Sequence, residues 1–187
     1  MPRTVAVLVG SLRRASYSRK MALALASLAP ANLMLQVVEI GELPLYNEDL
    51  EADAPSAWRT FRQAVKATEA VLFVTPEYNR SVPGVLKNAI DVGSRPYGQS
   101  VWQGKPGAVV SVSPGVIGGF GANHHLRQSM VFLDVPMLQQ PEAYVGGASH
   151  LFDEAGGIAN ETAKTFLTGL MTTYGAWVET IMAGRWS

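Results

Sequence analysis

The sequence predicts an α/β fold in which a five-stranded parallel sheet of strand order 2-1-3-4-5 carries helices on both faces. Two observations support this. Short apolar runs alternate with helix-like segments five times along the chain, which implies parallel strands joined by right-handed crossovers. The middle run, Val71 to Thr75, is apolar, β-branched and aromatic almost throughout, as a strand buried on both faces requires. A third observation locates the function. The stretches after the first, third and fourth runs are rich in Gly, Ser, Pro or Arg, and in such a sheet ligands bind beyond the carboxyl ends of the strands.

Thr4 to Val9 reads as the first strand, closed by Gly10. Residues 16 to 29 read as a helix, with Met21, Leu25 and Leu28 on one face and Pro30 as its stop. Met34 to Ile40 is a second strand, interrupted by Gln36 and Glu39 as at a sheet edge. An acidic loop from Gly41 to Asp53 leads to Pro55 and Ser56, which open a helix with Trp58, Phe61 and Val65 on one side. After the third strand, Val82 to Val92 reads as a helix with Val82, Leu86 and Ile90 in line. Pro106 to Val112 is the fourth strand, and Ala122 to Leu133 the next helix. Val135 to Leu138 is expected as the fifth strand. A long helix from about Glu154 to Ala183 presents Phe166, Leu170, Tyr174, Trp177 and Ile181 together. No repeat or composition break divides the chain, which reads as one domain, 1–187.

Composition removes several classes of function. The 187 residues are 48% hydrophobic and 16% charged, a globular balance. Lys plus Arg equals Asp plus Glu at 15 each, so no electrostatic case exists for nucleic-acid binding. There is no cysteine, which excludes disulfides and thiolate chemistry and permits a cytoplasmic location. The apolar run after Arg3 is too short for a signal peptide, and no stretch approaches a membrane span.

The three strand-end loops lie side by side in a 2-1-3-4-5 sheet, and their convergence predicts a site. The first, Gly10 to Ser18, offers hydroxyls, arginines and the free amides of a helix start, a set suited to a phosphate. It carries neither a Walker A loop nor Gly-x-Gly-x-x-Gly, so a phosphomonoester fits better than a pyrophosphate. Helix capping by Ser16 or Ser18 is the alternative reading. In the second, Pro76 breaks the pleat, and Glu77, Tyr78 and Asn79 offer a carboxylate, a ring and an amide to a planar, hydrogen-bonding ligand. The third, Ser113 to Gly121, has the glycines expected where backbone approaches a ligand closely, with a mobile loop as the alternative. His124 and His125 are adjacent and point about 100° apart on a helix, which favours surface or interface roles over a metal site.

Gly10-Ser11-Leu12-Arg13 with Ser16 and Ser18, Pro76-Glu77-Tyr78-Asn79 with Ser81 to Gly84 and Leu86 to Asp91, and Gly104-Lys105-Pro106 resemble the NADPH-dependent FMN reductase family. Within it the likeness is greatest to bacterial chromate and quinone reductases, over roughly residues 4 to 145. The resemblance implies a flavodoxin-like three-layer sandwich holding FMN. It implies NADPH or NADH as donor, and quinones, free flavins, azo compounds or chromate as small-molecule acceptors. It also implies a homodimer or homotetramer. Carried over by motif, Ser11, Arg13 and Ser18 would hold the FMN phosphate, with Leu12, Ser16 and Tyr17 in the same loop. Pro76, Glu77, Tyr78 and Asn79 would run along the isoalloxazine, Val112 and Ser113 would close its other side, and Arg95 would approach the nicotinamide cofactor or an anionic acceptor. Arg19 and the stretch Gly119 to His125 depart from the family pattern. No catalytic side chain is expected, because the flavin carries the chemistry. An oligomer is further expected to bury part of Val82 to Arg95 and the helix near Arg127, since Tyr97, Trp102 and Phe120 exceed what one small domain covers. An electron carrier of the flavodoxin type is the rival reading, but it depends on an acidic face that a net charge of zero does not supply.

Overall fold

In the computed structural model, which describes residues 1–184, five parallel strands form one sheet in the order β2-β1-β3-β4-β5. They are β1 (Arg3–Val9), β2 (Leu33–Val37), β3 (Ala70–Thr75), β4 (Gly107–Val112) and β5 (Ala143–Val145). Residues 185–187, the end of the expected domain, lie outside the described residues. Every residue of β3 and β4 is buried, which is why their sequences are apolar runs rather than alternations.

Alternate side chains of the central strands feed two cores. Val5, Val7, Val9, Leu72, Val74 and Val110 meet α1 (Tyr17–Ser27) and α5 (Glu161–Gly184) on one face. Ala6, Leu8, Val71, Phe73 and Val109 meet α2 (Ser56–Lys66), α3 (Gly84–Ser94) and α4 (Phe120–Phe132) on the other. This is the expected three-layer sandwich. Tyr174 of α5 is fully buried and donates its hydroxyl to the Val71 carbonyl at 2.7 Å. Burial pushes its phenol well above the ordinary value, so it holds its proton and ties α5 to β3.

The register positions the site. Val9 pairs with Val74 and Val74 with Val110, so β1, β3 and β4 end nearly level. The amide of Gly10 continues this past the strand by donating to the Val74 carbonyl at 2.9 Å. The chain therefore leaves all three strands at one edge of the sheet.

Several expectations change. Val135 to Leu138 is not the fifth strand. It makes only a bridge to Gly107, whose amide donates to Pro136 O (3.0 Å) and whose carbonyl accepts from Leu138 N (2.7 Å). Pro136 has no N–H to extend a ladder, and beyond this bridge to its first residue β4 is paired along a ladder only by β5, after Pro141. The loop after β2 contains a 3-10 helix at Glu48–Asp53. The last helix begins at Glu161, and its buried stripe is Leu167, Leu170, Met171, Tyr174, Val178 and Met182. Phe166 lies off that stripe, at 41% exposed.

Trp102, expected to be uncovered, is fully buried. Its indole N–H donates to Ile90 O at 2.9 Å, and its ring lies against Gly93, where a Cβ would fall 2.4 Å from Cζ2. Gly93→Ala therefore overpacks this contact and is expected to cost about 1–3 kcal/mol, a fall in Tm of about 2–12 °C. Differential scanning calorimetry reads it; an unchanged Tm would show that the indole yields freely.

Candidate functional site

Three loops meet at the level edge of β1, β3 and β4. The first runs from Gly10 into α1. Gly10 has to be small, since a Cβ there would fall 2.8 Å from Thr75 Oγ1 and 3.1 Å from Pro76 Cδ. The first and second loops thus touch at their roots. Ser16 is the N-cap of α1, its hydroxyl accepting from Arg19 N at 3.1 Å, so the capping alternative holds for this serine. Ser18 is 1% exposed within the first turn. Tyr17 stacks on Phe152 at 6.4 Å between centroids, which orients it toward α5's side of the sheet. Leu12, Arg13 and Arg14 are exposed, and Ser11 Oγ lies 3.5 Å from Arg13 N. α1 has no acidic residue in its first turn, so its amides and two exposed guanidinium groups suit an anion. Arg19 lines a small recess with Ser11, Leu12 and Arg13 and pairs there with Glu39 at 2.5 Å, which holds the Glu39 carboxyl below its usual range.

The second loop is a tight reversal. Tyr78 and Ser81 exchange backbone hydrogen bonds of 3.1 and 2.9 Å, and both residues between them are left-handed, Asn79 at φ 50° and Arg80 at φ 64°. This is the pattern of a type I′ turn. Asn tolerates that conformation; for Arg it costs roughly 1–2 kcal/mol. Tyr78 is 50% exposed, its ring free to face a ligand. Glu77 differs from expectation. Its side chain is only 13% exposed, with one oxygen 3.3 Å from Arg80 Nη1 and the other accepting from Ala122 N at 3.1 Å. Its carboxylate is engaged by the protein itself.

The third loop leaves β4 through Val112 and Ser113. Val112 is buried, and Ser113 bonds to the end of β5 through its amide and to Gly115 N through its hydroxyl at 3.1 Å. Two glycines of this loop pack closely on the protein itself. A Cβ on Gly118 would lie 2.4 Å from Tyr144 C, and one on Gly119 would lie 3.0 Å from Ser111 Cβ. The two histidines that follow point to different partners: His124 Nε2 lies 2.8 Å from Tyr144 Oη, and His125 Nδ1 lies 2.7 Å from Ser81 Oγ. Burial, then the neighbouring Glu142, pushes the Tyr144 phenol up to about 12. Among the described residues no cluster of metal-ligating side chains occurs.

Ser11, Leu12, Arg13, Ser16, Tyr17, Ser18, Pro76, Glu77, Tyr78, Asn79, Val112 and Ser113 are thus gathered at one edge of the sheet. Arg95 is not. It follows α3 at the opposite end of that helix, about 16 Å from its start at 1.5 Å per residue. There it lines a recess of about 190 Å³ with Tyr46, Glu51, Trp58, Arg59 and Arg62. A hollow of about 580 Å³ lies between the end of β2 and α2 and is lined by no residue of the three loops. Sequence reading did not foresee that Gly121, Ala122 and Ser81 tie the second loop to α4, although Ser81 stood in the quoted motif and Gly121 in the glycine-rich loop.

Known proteins place this arrangement. The family model described as NADPH-dependent FMN reductase matches residues 3–150. A protein of Pseudomonas putida named quinone reductase is 64% identical over 177 residues, covering 94% of this chain and 95% of its own. A 2-hydroxy-1,4-benzoquinone reductase from Burkholderia sp is 48% identical over 95% of this chain and 97% of its own. The solved structure of FerB, a flavoenzyme NAD(P)H:(acceptor) oxidoreductase from Paracoccus denitrificans, superposes with a TM-score of 0.91 at 42% identity, covering 95% of this chain and 98% of that one. By the family match over residues 3–150 and the identity to these relatives over nearly their whole length, the chain belongs to the NADPH-dependent FMN reductase family of oxidoreductases.

Proposed function

We propose that this chain is an FMN-dependent NAD(P)H oxidoreductase whose acceptors are quinones in the first place, with free flavins, azo compounds and chromate as further acceptors. The observation that carries the proposal is the level convergence of three loops, one shaped for a phosphate and one offering strained backbone. The quinone reductase of Pseudomonas putida, at 64% identity, supports the choice of acceptor.

The residues fit the cofactor. Arg13, the hydroxyls of Ser11 and Ser18 and the open amides of the first turn of α1 would hold the phosphate, while Ser16 fixes the helix start and Leu12 and Tyr17 would flank it. The backbone of Pro76 to Asn79 would hold the ring, with Val112 and Ser113 closing its other side. When bound, FMN supplies the two-electron chemistry that no side chain here provides. The chain's part is to bind, orient and leave one ring face open beside Tyr78. A single domain over 1–187 and a cytoplasmic location, which the lack of cysteine permits, belong to the same reading. No helix among the described residues is long and apolar enough to cross a membrane.

We further propose a homodimer or homotetramer. Phe132 (81% exposed), Val131 (80%) and Tyr97 (87%) are apolar surface beside α3 and α4 that a second copy would cover. Arg95 lies a helix length from its own chain's loops, so its contact with donor or acceptor is made across that interface.

Arg13→Ala should weaken FMN binding about 10- to 150-fold, the worth of a charge-assisted pair, with the circular dichroism unchanged. Fluorescence titration of the apoprotein reads this; equal affinity would assign the phosphate to Arg14 or the amides. NADPH and benzoquinone should turn over in a steady-state assay, which an electron carrier does not sustain alone. Because donor and acceptor need the same open face, double-reciprocal plots should be parallel, as in a ping-pong scheme. Arg95→Ala should raise the KM for NAD(P)H more than it lowers kcat. Intersecting plots, or a fully active monomer by light scattering, would contradict the shared face and the interface respectively.

A further inference from the structure

Helix α4 begins without a cap of its own. Its N-cap is Gly119, at φ 79°, with no side-chain hydrogen bond, and its first turn holds no acidic residue. Uncapped amides and a positive dipole end call for an anion. The anion comes from 45 residues earlier: Glu77 Oε2 accepts from Ala122 N at 3.1 Å. Gly121 makes room for it, since a Cβ there would lie 2.9 Å from Glu77 Oε2 and 2.8 Å from Arg80 O. A second tie follows one turn on, where Ser81 Oγ meets His125 Nδ1 at 2.7 Å. The reversal at Asn79 and Arg80 is therefore clamped to α4 on both sides of its two left-handed residues. Strained backbone persists only where its surroundings hold it, and here the holder is a carboxylate.

We propose that Glu77 is a positioning residue: its carboxylate locks the Tyr78–Ser81 turn onto the N-terminus of α4, so that the turn's backbone meets the cofactor already in its bound conformation. The inference rests on the flavin reading given above. Pre-ordering the turn removes an entropic cost from binding. It also disposes of a negative charge, because the helix end and Arg80 neutralise a carboxylate that would otherwise repel an anionic ligand from the cleft.

Three variants test this in the full chain: Glu77→Ala, Glu77→Gln and Gly121→Ala. Glutamine keeps an oxygen to accept from Ala122 N; alanine does not, and the Cβ of Gly121→Ala drives the carboxylate away. Titration of apoprotein with FMN should give Kd raised about tenfold or more for Glu77→Ala and Gly121→Ala, and within about threefold of wild type for Glu77→Gln, the spread expected when a charge-assisted bond is lost outright or replaced by a neutral one. Amide exchange of Ala122 in the apoprotein should be slow in wild type and Glu77→Gln and fast in Glu77→Ala. Wild-type affinity in Glu77→Ala would overturn the proposal. So would an equal loss in Glu77→Gln and Glu77→Ala, which would mean that the charge itself contacts the ligand. If Glu77→Ala does not fold, Gly121→Ala and Glu77→Gln decide by the same criteria. Should wild type bind no FMN, the flavin reading fails, and the exchange of Ala122 still judges the clamp by itself.

Discussion

The site depends on a backbone hydrogen bond just past the end of a strand, from Gly10 N to Val74 O at 2.9 Å. It keeps β1 and β3 paired for one residue beyond the ladder, so both chains turn outward at the same level. A side chain at position 10 would meet Thr75 Oγ1 and Pro76 Cδ and separate the first two loops at their roots. The Thr75–Ser111 pairing does the same for β3 and β4. Parallel register thus sets the spacing of the loops, and the residues within them decide what that spacing can hold.

Each loop meets its demands differently. The first remains open, with a capped helix start and exposed arginines, as an anion site requires. The second stores strain at Asn79 and Arg80 and is held by contacts to α4. The third packs two of its glycines against β5 and β4, which makes it a wall for its neighbours. Rigid surroundings thus support a short stretch of exposed backbone, a division of labour suited to a site that must orient a ligand without reacting with it. The opposite edge of the sheet is held by surface ion pairs: Arg3 reaches Glu69 at 2.7 Å and Glu179 at 3.1 Å, joining β1, β3 and α5.

Much of this was legible in the amino-acid order. Strands covered on both faces leave apolar runs, so β1, β3 and β4 declared themselves, and the alternation with helices implied a parallel sheet. Val135 to Leu138 misled because an apolar run beside Pro136 can be extended without joining a ladder, and Ala143–Val145 is too short to stand out. The inner face of α5 was misplaced because that helix carries apolar residues around most of its circumference, leaving its phase to tertiary packing. Trp102 looked exposed because it lies in a loop, where local pattern says nothing about a glycine on a neighbouring helix. The gathering of Ser11 to Ser18 with Pro76 to Asn79 followed from topology. The commitment of Glu77 to Ala122 did not, since a contact across 45 residues leaves no local signal. The position of Arg95 was hidden for a related reason: the motif that suggests its role says nothing about which end of α3 faces the loops.

The most direct measurement is a crystal structure of the protein with FMN bound. The account predicts the phosphate on the loop from Ser11 to Ser18, in contact with Arg13, and the ring along the backbone of Pro76 to Asn79 with Glu77 still on Ala122. A flavin seated elsewhere, such as the hollow between β2 and α2, or a chain that takes up no FMN at all, would contradict it.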